Sequence, residues 1–329
     1  MKRQFIILLI GGLLFSQANT AAQTPKADSK IQGTVTISGA WALYPMAVKW
    51  AEVFQKQYPQ VKFDISAGGA GKGMVDCLAE AVDIGMVSRD IYPEEISKGA
   101  WWVSVVKDAV VPTLNARNPV LKELMNTGVS RQTLIGIWIT EAVSTWGQVT
   151  GRSSKYQIHV YTRSDACGAA ETWSKYLGGH QEDLHDVGVY GDPGLAEAVR
   201  NDMSGIGYNN INYVYDSKTK KPAEGLQVLP IDLNGNGLLD AEENFYENRD
   251  LMIRAISEGK YPSPPARDLH FVTHGNPRNP VVRRFIEWVL TEGQKYVSES
   301  GYIQLSHEKL NQELKKLDIH SSQRQTVSE

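Results

Sequence analysis

The strongest constraint on the fold is a repeated strand–turn–helix pattern whose turns are built from small residues. Residues 33–38 alternate apolar and polar side chains as a half-buried strand does. Gly39-Ala40 turns the chain, and Pro45 opens a helix with Ala47, Trp50 and Phe54 on one face. After Tyr58-Pro59, Val61, Phe63 and Ile65 form a second alternating strand. The Gly-rich run at 68–73 leads into a helix through Leu78 and Val82, and residues 83–87 form a third strand that stops at Ser88-Arg89-Asp90. This alternation implies a parallel sheet with right-handed crossovers, whose ligands bind beyond the carboxyl ends of the strands. The turns at 39–42, 68–73 and 88–90 then share one edge. The run at 68–73 has no full dinucleotide or P-loop pattern. Its glycines mark either a ligand-facing helix start or a close helix–sheet contact.

The same unit recurs in mid-chain. An apolar run at 156–161 precedes Arg163-Ser164-Asp165-Ala166-Cys167-Gly168-Ala169-Ala170, which opens a helix ending at Leu177-Gly178. A strand turning through small residues into a helix leaves free N–H groups and a positive dipole end, which suit an anion. Arg163, at the strand end, can clamp two oxygens of that anion. Asp165 can orient Arg163, cap the helix, or do both. An ordinary capped β–turn–helix fits these residues equally well.

Elsewhere, Trp101 to Leu114 reads as a strand pair or a crossover. Ser130 caps a helix through Trp138, and residues 144–147 form a turn. Residues 188–200 give a loop and short helix, 204–208 a turn into a strand, 269–272 a strand, and Pro280 opens a further helix. His159 reads as a packed core histidine, and the eight tryptophans as core and lobe-interface packing.

Residues 1–22 have the order of an export leader: Lys2 and Arg3, an apolar run from Phe5 to Phe15 too short to span a bilayer, and Thr20-Ala21-Ala22 for cleavage after Ala22. No cysteine stands there to carry a lipid. A polar tether over 23–30 follows, and the mature chain is expected to be periplasmic or secreted, soluble and monomeric. Its length allows two compact lobes, each with its own core. A net charge of −3 gives no reason to expect nucleic acid or an acidic membrane surface as partner. Cys77 and Cys167 fall on different helices and read as two separate thiols rather than a disulfide.

Residues 232–243 match the twelve-position calcium loop. Asp232, Asn234 and Asn236 offer side-chain oxygens, and Gly237 the tight bend. Leu238 offers its carbonyl, Asp240 a water-mediated contact, and Glu243 two carboxylate oxygens. The alternative is a polar Asn/Gly turn. Calcium here is expected to be structural, with no catalytic cofactor.

Several motifs, taken in order from about residue 33 to 306, resemble the substrate-binding proteins of phosphate ABC importers, the PstS-like branch of the type II periplasmic binding fold. These are Ser38-Gly39-Ala40 with Lys49-Trp50-Ala51-Glu52; Gly68 to Gly71; Val82 to Gly85 with Ser88; Leu134 to Trp138 through Thr145-Trp146; Arg163, Asp165 and Cys167-Gly168; Gly205 to Tyr208; and Glu292 to Gln294 with Gly301-Tyr302. The resemblance implies an α/β fold of two lobes, 31–114 plus 268–329 and 115–267, with a ligand cleft between them. It implies capture of phosphate, or a related tetrahedral oxyanion, for delivery to the membrane subunits of an ABC importer. The residues it places at the ligand are Ala40, Trp41, Ala70, Gly71, Ser88, Arg163, Asp165, Cys167, Gly168 and Ala169. The family commonly has Ser or Thr at the positions of Ala70, Cys167 and Ala169, and an acid at that of Ser88. Arg89, Lys72 or Ser38 are the expected replacement contacts, and Asp90 stands two residues from Ser88. An anion sensor or adhesin on the same fold is the alternative. A weaker one is an enzyme whose Cys167 thiol is activated at the helix start beside Arg163.

Overall fold

The computed structural model describes residues 31–322, with side chains through Leu317. The expected leader and tether lie outside the described residues. Strand β1 (Gly33–Gly39), helix α1 (Tyr44–Gln57), β2 (Val61–Ala67), α2 (Ala70–Leu78) and β3 (Ile84–Val87) realise the alternation read from sequence. β1 runs parallel to both β2 and β3. Helix α2 stops at Leu78, short of Val82. A short α3 (Pro93–Ser97) then leads to β4 (Ala100–Asn115).

β4 is one strand of 16 residues, neither a strand pair nor a crossover. Nearly every residue in it is buried, so it lacks the alternation that marks a half-exposed strand. Its burial comes from two cores in turn. Val103, Val105 and Val106 belong with Trp50, Phe54, Phe271, Phe285 and Trp288, whereas Ala109, Val110, Val111 and Leu114 belong with Trp138, Trp146, Trp173, Tyr208 and Tyr246.

The second core is enclosed by α4 (Leu121–Thr127), β5 (Val129–Ser130), α5 (Arg131–Trp138), α6 (Trp146–Thr150), β6 (His159–Arg163), α7 (Gly168–Leu177), β7 (Val187–Val189), α8 (Gly191–Asn201), β8 (Gly205–Asn210), α9 (Ile211–Val214), β9 (Leu226–Val228), β10 (Ile231–Asp232) and α10 (Arg249–Ser257). Ser130 caps α5 through the N–H of Thr133 at 3.2 Å. The expected turn at 144–147 is the start of α6, where Thr145 and Gln148 form a capping box. His159 is not a core residue: it is exposed, with Nδ1 2.6 Å from Asp202 Oδ2.

The chain returns through β11 (Ala266–His274) to α11 (Pro280–Leu290) and α12 (His307–Ser322). β11 is antiparallel to both β3 and β4. Its residue Ala266 lies in the second core and Leu269 in the first. The strands follow the order β2-β1-β3-β11-β4-β8-β6-β7, and β9 also pairs with β4. Each lobe is thus an α/β unit, and β4 and β11 run side by side from one to the other.

Candidate functional site: the seam between the lobes

Arg163 is the last residue of β6, and its side chain is fully buried. Nε donates to Asp165 Oδ1 at 2.7 Å, Nη2 to Asp165 Oδ2 at 2.5 Å, and Nη1 to Asp192 Oδ2 at 2.6 Å. Burial opposes this charge, but Asp192, with Asp165, outweighs it and holds the guanidinium pKa above the usual arginine value. A guanidinium has five N–H groups, so one remains on each terminal nitrogen.

Asp192 is the second residue of α8, and its Oδ1 accepts from Asn210 Nδ2 at 2.6 Å. Arg267 of β11 donates to the Gly168 carbonyl at 3.2 Å and to Asn210 Oδ1, and stands 3.9 Å from Asp108 Oδ2. Burial raises Asp108 to a pKa of about 7, against the opposing pull of Arg267. Asp192 was missed in the sequence. Its signal was Asp-Pro at a helix start, on an element read only as a loop and short helix.

Asp165 holds Arg163 and also accepts the Gly191 N–H at 3.2 Å, but it does not cap α7. Cys167 is the cap: its Sγ accepts the N–H of Ala170 at 3.4 Å, and its own N–H donates to Gln181 Oε1 at 3.1 Å. Burial pushes this thiol up to about 12, beyond what Arg163 opposes. The activated thiol that an enzymatic reading requires is therefore corrected to a protonated, structural one. Both cysteines are free and buried.

The lobes meet at backbone distance along this edge. The Gly71 N–H donates across the seam to the Ala166 carbonyl at 3.1 Å. A Cβ on Gly69, whose φ is +95°, would lie 2.8 Å from both the Ala166 carbonyl oxygen and Asp165 Oδ2. A Cβ on Gly168 would run into the backbone carbonyl and the Oγ of Ser88. The Trp41 ring packs edge-on to Tyr190, and the Trp41 carbonyl accepts from Tyr213 Oη at 2.9 Å. On the outer rim, Lys175 of the second lobe bonds Asp90 of the first at 2.5 Å. Contacts across the seam thus involve Trp41, Gly71 and Ser88 on one side and Asp165 and Gly168 on the other, while Ala40, Ala70, Arg163, Cys167 and Ala169 are their neighbours in the chain, at the ends of β1 and β6 and the starts of α2 and α7.

Their donors divide into two groups. The amides of Ala40, Gly71 and Cys167 are taken by Met86, Ala166 and Gln181. Those of Trp41, Ala70, Gly168 and Ala169 have no acceptor among the described residues, as expected at helix starts. Trp41 Nε1 is also buried without a partner. The expected replacement contacts are committed elsewhere. Ser38 donates to Asp76 at 2.6 Å, Lys72 pairs with the same carboxylate, and Arg89 is clamped by Glu95 at 2.9 and 2.6 Å. The six residues expected as calcium ligands lie apart, at the end of β10 and in the loop that follows it.

The family described as the PBP superfamily domain matches residues 24–292. Phosphate-binding protein PstS of Bacillus subtilis is 23% identical over 294 residues, spanning 89% of this chain and 87% of that protein. Protein SphX of Synechococcus elongatus is 23% identical over 279 residues, covering 82% of this chain and 77% of its own. Among solved structures, a substrate-binding protein from Clostridium perfringens with bound phosphate has a TM-score of 0.69 at 22% identity, covering 83% of this chain and 100% of that one. An ABC-type phosphate transport receptor from Vibrio cholerae has a TM-score of 0.59 at 19% identity, covering 82% and 100%. At these identities the structural likeness establishes the fold, and the family match and relatives agree with the resemblance drawn from the motifs. The chain belongs to the PBP superfamily domain family.

Proposed function

We propose that the mature chain is an extracytoplasmic binding protein that captures phosphate in the seam and delivers it to the membrane subunits of an ABC importer. The observation that carries this reading is the convergence of unpaired donors. The amides of Trp41, Ala70, Gly168 and Ala169 stand without acceptors at helix starts on the two sides of the seam, and Arg163 keeps one undonated N–H on each terminal nitrogen. Helix starts hold a tetrahedral oxyanion without a net countercharge, which suits a site where Arg163 is already balanced by Asp165 and Asp192. Ser88 would add a hydroxyl, while Ala40, Gly71, Asp165 and Cys167 shape the walls. Relatives named for phosphate binding support this ligand. A binding role without turnover agrees with the protonated thiol of Cys167.

One observation favours a second reading. Monohydrogen phosphate brings a proton that needs an acceptor, and Ser88 stands where the family commonly has an acid. A fully ionised oxyanion such as sulfate has no such need. The test is calorimetric titration of residues 23–329, stripped of ligand by unfolding and refolding. Phosphate binding at about micromolar affinity or tighter, near −8 kcal/mol, with sulfate much weaker, is the expected result. Sulfate binding without phosphate would select the second reading, and no heat with either anion would reject the seam as an anion site.

A further inference from the structure

The loop between β10 and α10 takes no part in the seam. Asp232 closes β10, whose two residues pair in parallel with Val129 and Ser130 of β5. Beyond it the chain wraps around the Asp232 carboxylate. Oδ1 accepts the N–H groups of Gly235 and Asn236 at 2.7 and 3.2 Å, and Oδ2 accepts that of Gly237 at 2.8 Å. Gly237 sits at φ +80° in open space, so it supplies the bend the loop needs. Glu243 then folds back on the start of the loop, where its Oε1 accepts the N–H groups of Leu233 and Asn234 at 3.0 and 2.9 Å.

That bond places the Glu243 carboxylate inside the turn. Glu243 is 6% exposed, and its second oxygen, Oε2, is buried with no hydrogen-bond partner. An ionised carboxylate oxygen left bare in this way is costly unless a donor or a cation meets it. The orphaned oxygen is independent of the spacing pattern and sits at the position where a calcium loop offers a bidentate carboxylate. Asp232, the first residue of the pattern, is also buried.

We infer that residues 232–243 bind one calcium ion, through Asp232, Asn234, Asn236, the Leu238 carbonyl and both oxygens of Glu243, with Asp240 acting through water. Asp240 Oδ2 accepts from Nδ2 of Asn234 and of Asn236, each at 2.8 Å, and these bonds hold the loop together without the ion. Among the described residues no group of three His, Cys, Asp or Glu side chains is gathered to hold a metal. Uptake therefore draws the ligands inward and releases Asp240 from the two amides. A flexible all-oxygen loop with a bidentate glutamate favours calcium over the smaller, octahedral magnesium.

The ion would clamp one side of the second lobe. Leu239 N–H donates to the Asn126 carbonyl at the end of α4 at 3.0 Å. Phe245 and Tyr246, just past Glu243, are buried in the second core, and the Tyr246 carbonyl accepts from Tyr215 Oη at 2.9 Å.

The experiment is thermal unfolding and calcium calorimetry of the chelator-treated mature chain, with phosphate titrations run alongside. At about 1 mM calcium, Tm should rise by about 3 °C or more, and magnesium should do less. Glu243→Gln keeps an acceptor for Leu233 and Asn234, so it should fold, lose calcium binding and bind phosphate as before. Asp240→Asn provides a second variant, with weakened calcium affinity. Wild-type protein that shows neither heat nor a shift in Tm with calcium would overturn the inference. So would a folded Glu243→Gln variant that binds calcium like wild type.

Discussion

On the first-lobe side of the seam stand Ala40, Trp41, Ala70, Gly71 and Ser88, at the carboxyl ends of β1, β2 and β3. Across from them is a buried chain of charge in which Arg163 is gripped by Asp165 and Asp192, with Arg267 one asparagine further on. The first lobe thus offers backbone amides and small side chains. The second offers a guanidinium whose charge is already balanced. Backbone donors fixed by helices need no reorganisation to meet a ligand. A buried arginine persists only because its carboxylates offset desolvation. The two sides should therefore fail differently: the second through folding as well as binding, the first through fit alone.

Removing the guanidinium tests the charged side and should give the largest effect. Arg163→Gln leaves Asp165 and Asp192 buried without their cation, and breaking such a pair costs about 3–5 kcal/mol. Chemical denaturation should reveal that loss of stability, and calorimetry of the folded fraction should reveal loss of anion binding. A variant as stable as wild type would mean that Asp165 and Asp192 are satisfied without Arg163, and the contrast between the two sides would collapse.

The fit against the first-lobe side is tested from across the seam, at Gly168. Its missing Cβ makes room for Ser88, so Gly168→Ala drives a methyl group into Ser88 only when the lobes are closed. Overpacking of this kind costs about 2 kcal/mol, which is about 30-fold in affinity. Anion binding should weaken by that amount, while each lobe keeps its own core. X-ray scattering with phosphate present should report a more open particle than wild type. Unchanged affinity would show that the seam tolerates a side chain at its closest approach.

Much of this arrangement was legible in the sequence because the signals are local. Alternating strands, Pro45 at a helix start and the small residues after each strand read directly as β–turn–helix units, and the ordered motifs supplied the pairing of lobes. What escaped depends on distant partners. Nothing local tells that Cys167 caps α7 and is too buried to ionise, or that Asp192 comes to lie against Arg163. Ser38, Lys72 and Arg89 had the right chemistry near the right turn, yet Asp76 and Glu95, on neighbouring turns of helix, claim them first. β4 was misread because a strand buried by two cores in succession has lost the alternation that identifies a strand.

The smallest expected effect concerns the place where the two sides are joined. Asp108 lies on β4 between the cores, with one oxygen accepting the Ala109 N–H at 2.7 Å and the other unpartnered, 3.9 Å from Arg267. Its pKa is about 7 in the folded chain, raised by burial against the pull of Arg267 and the Ala109 amide, with Asp192 adding to the rise; the unfolded value is near 3.8. Between those values the folded chain holds a proton that the unfolded chain has released. Raising pH through this window therefore favours unfolding. The contribution of Asp108 to stability is complete below about pH 4 and is lost as pH climbs to about 7. Asp108→Asn stays neutral throughout, so its Tm should fall less than that of wild type between pH 5 and 8, by about 2–4 °C for each kcal/mol of difference. The comparison with Asn cancels the histidines and surface acids, which titrate alike in both proteins. Parallel Tm profiles would mean that Arg267 keeps Asp108 ionised. The strands joining the lobes would then carry a permanent ion pair, and the balanced charge of the second lobe would extend across the hinge into the first.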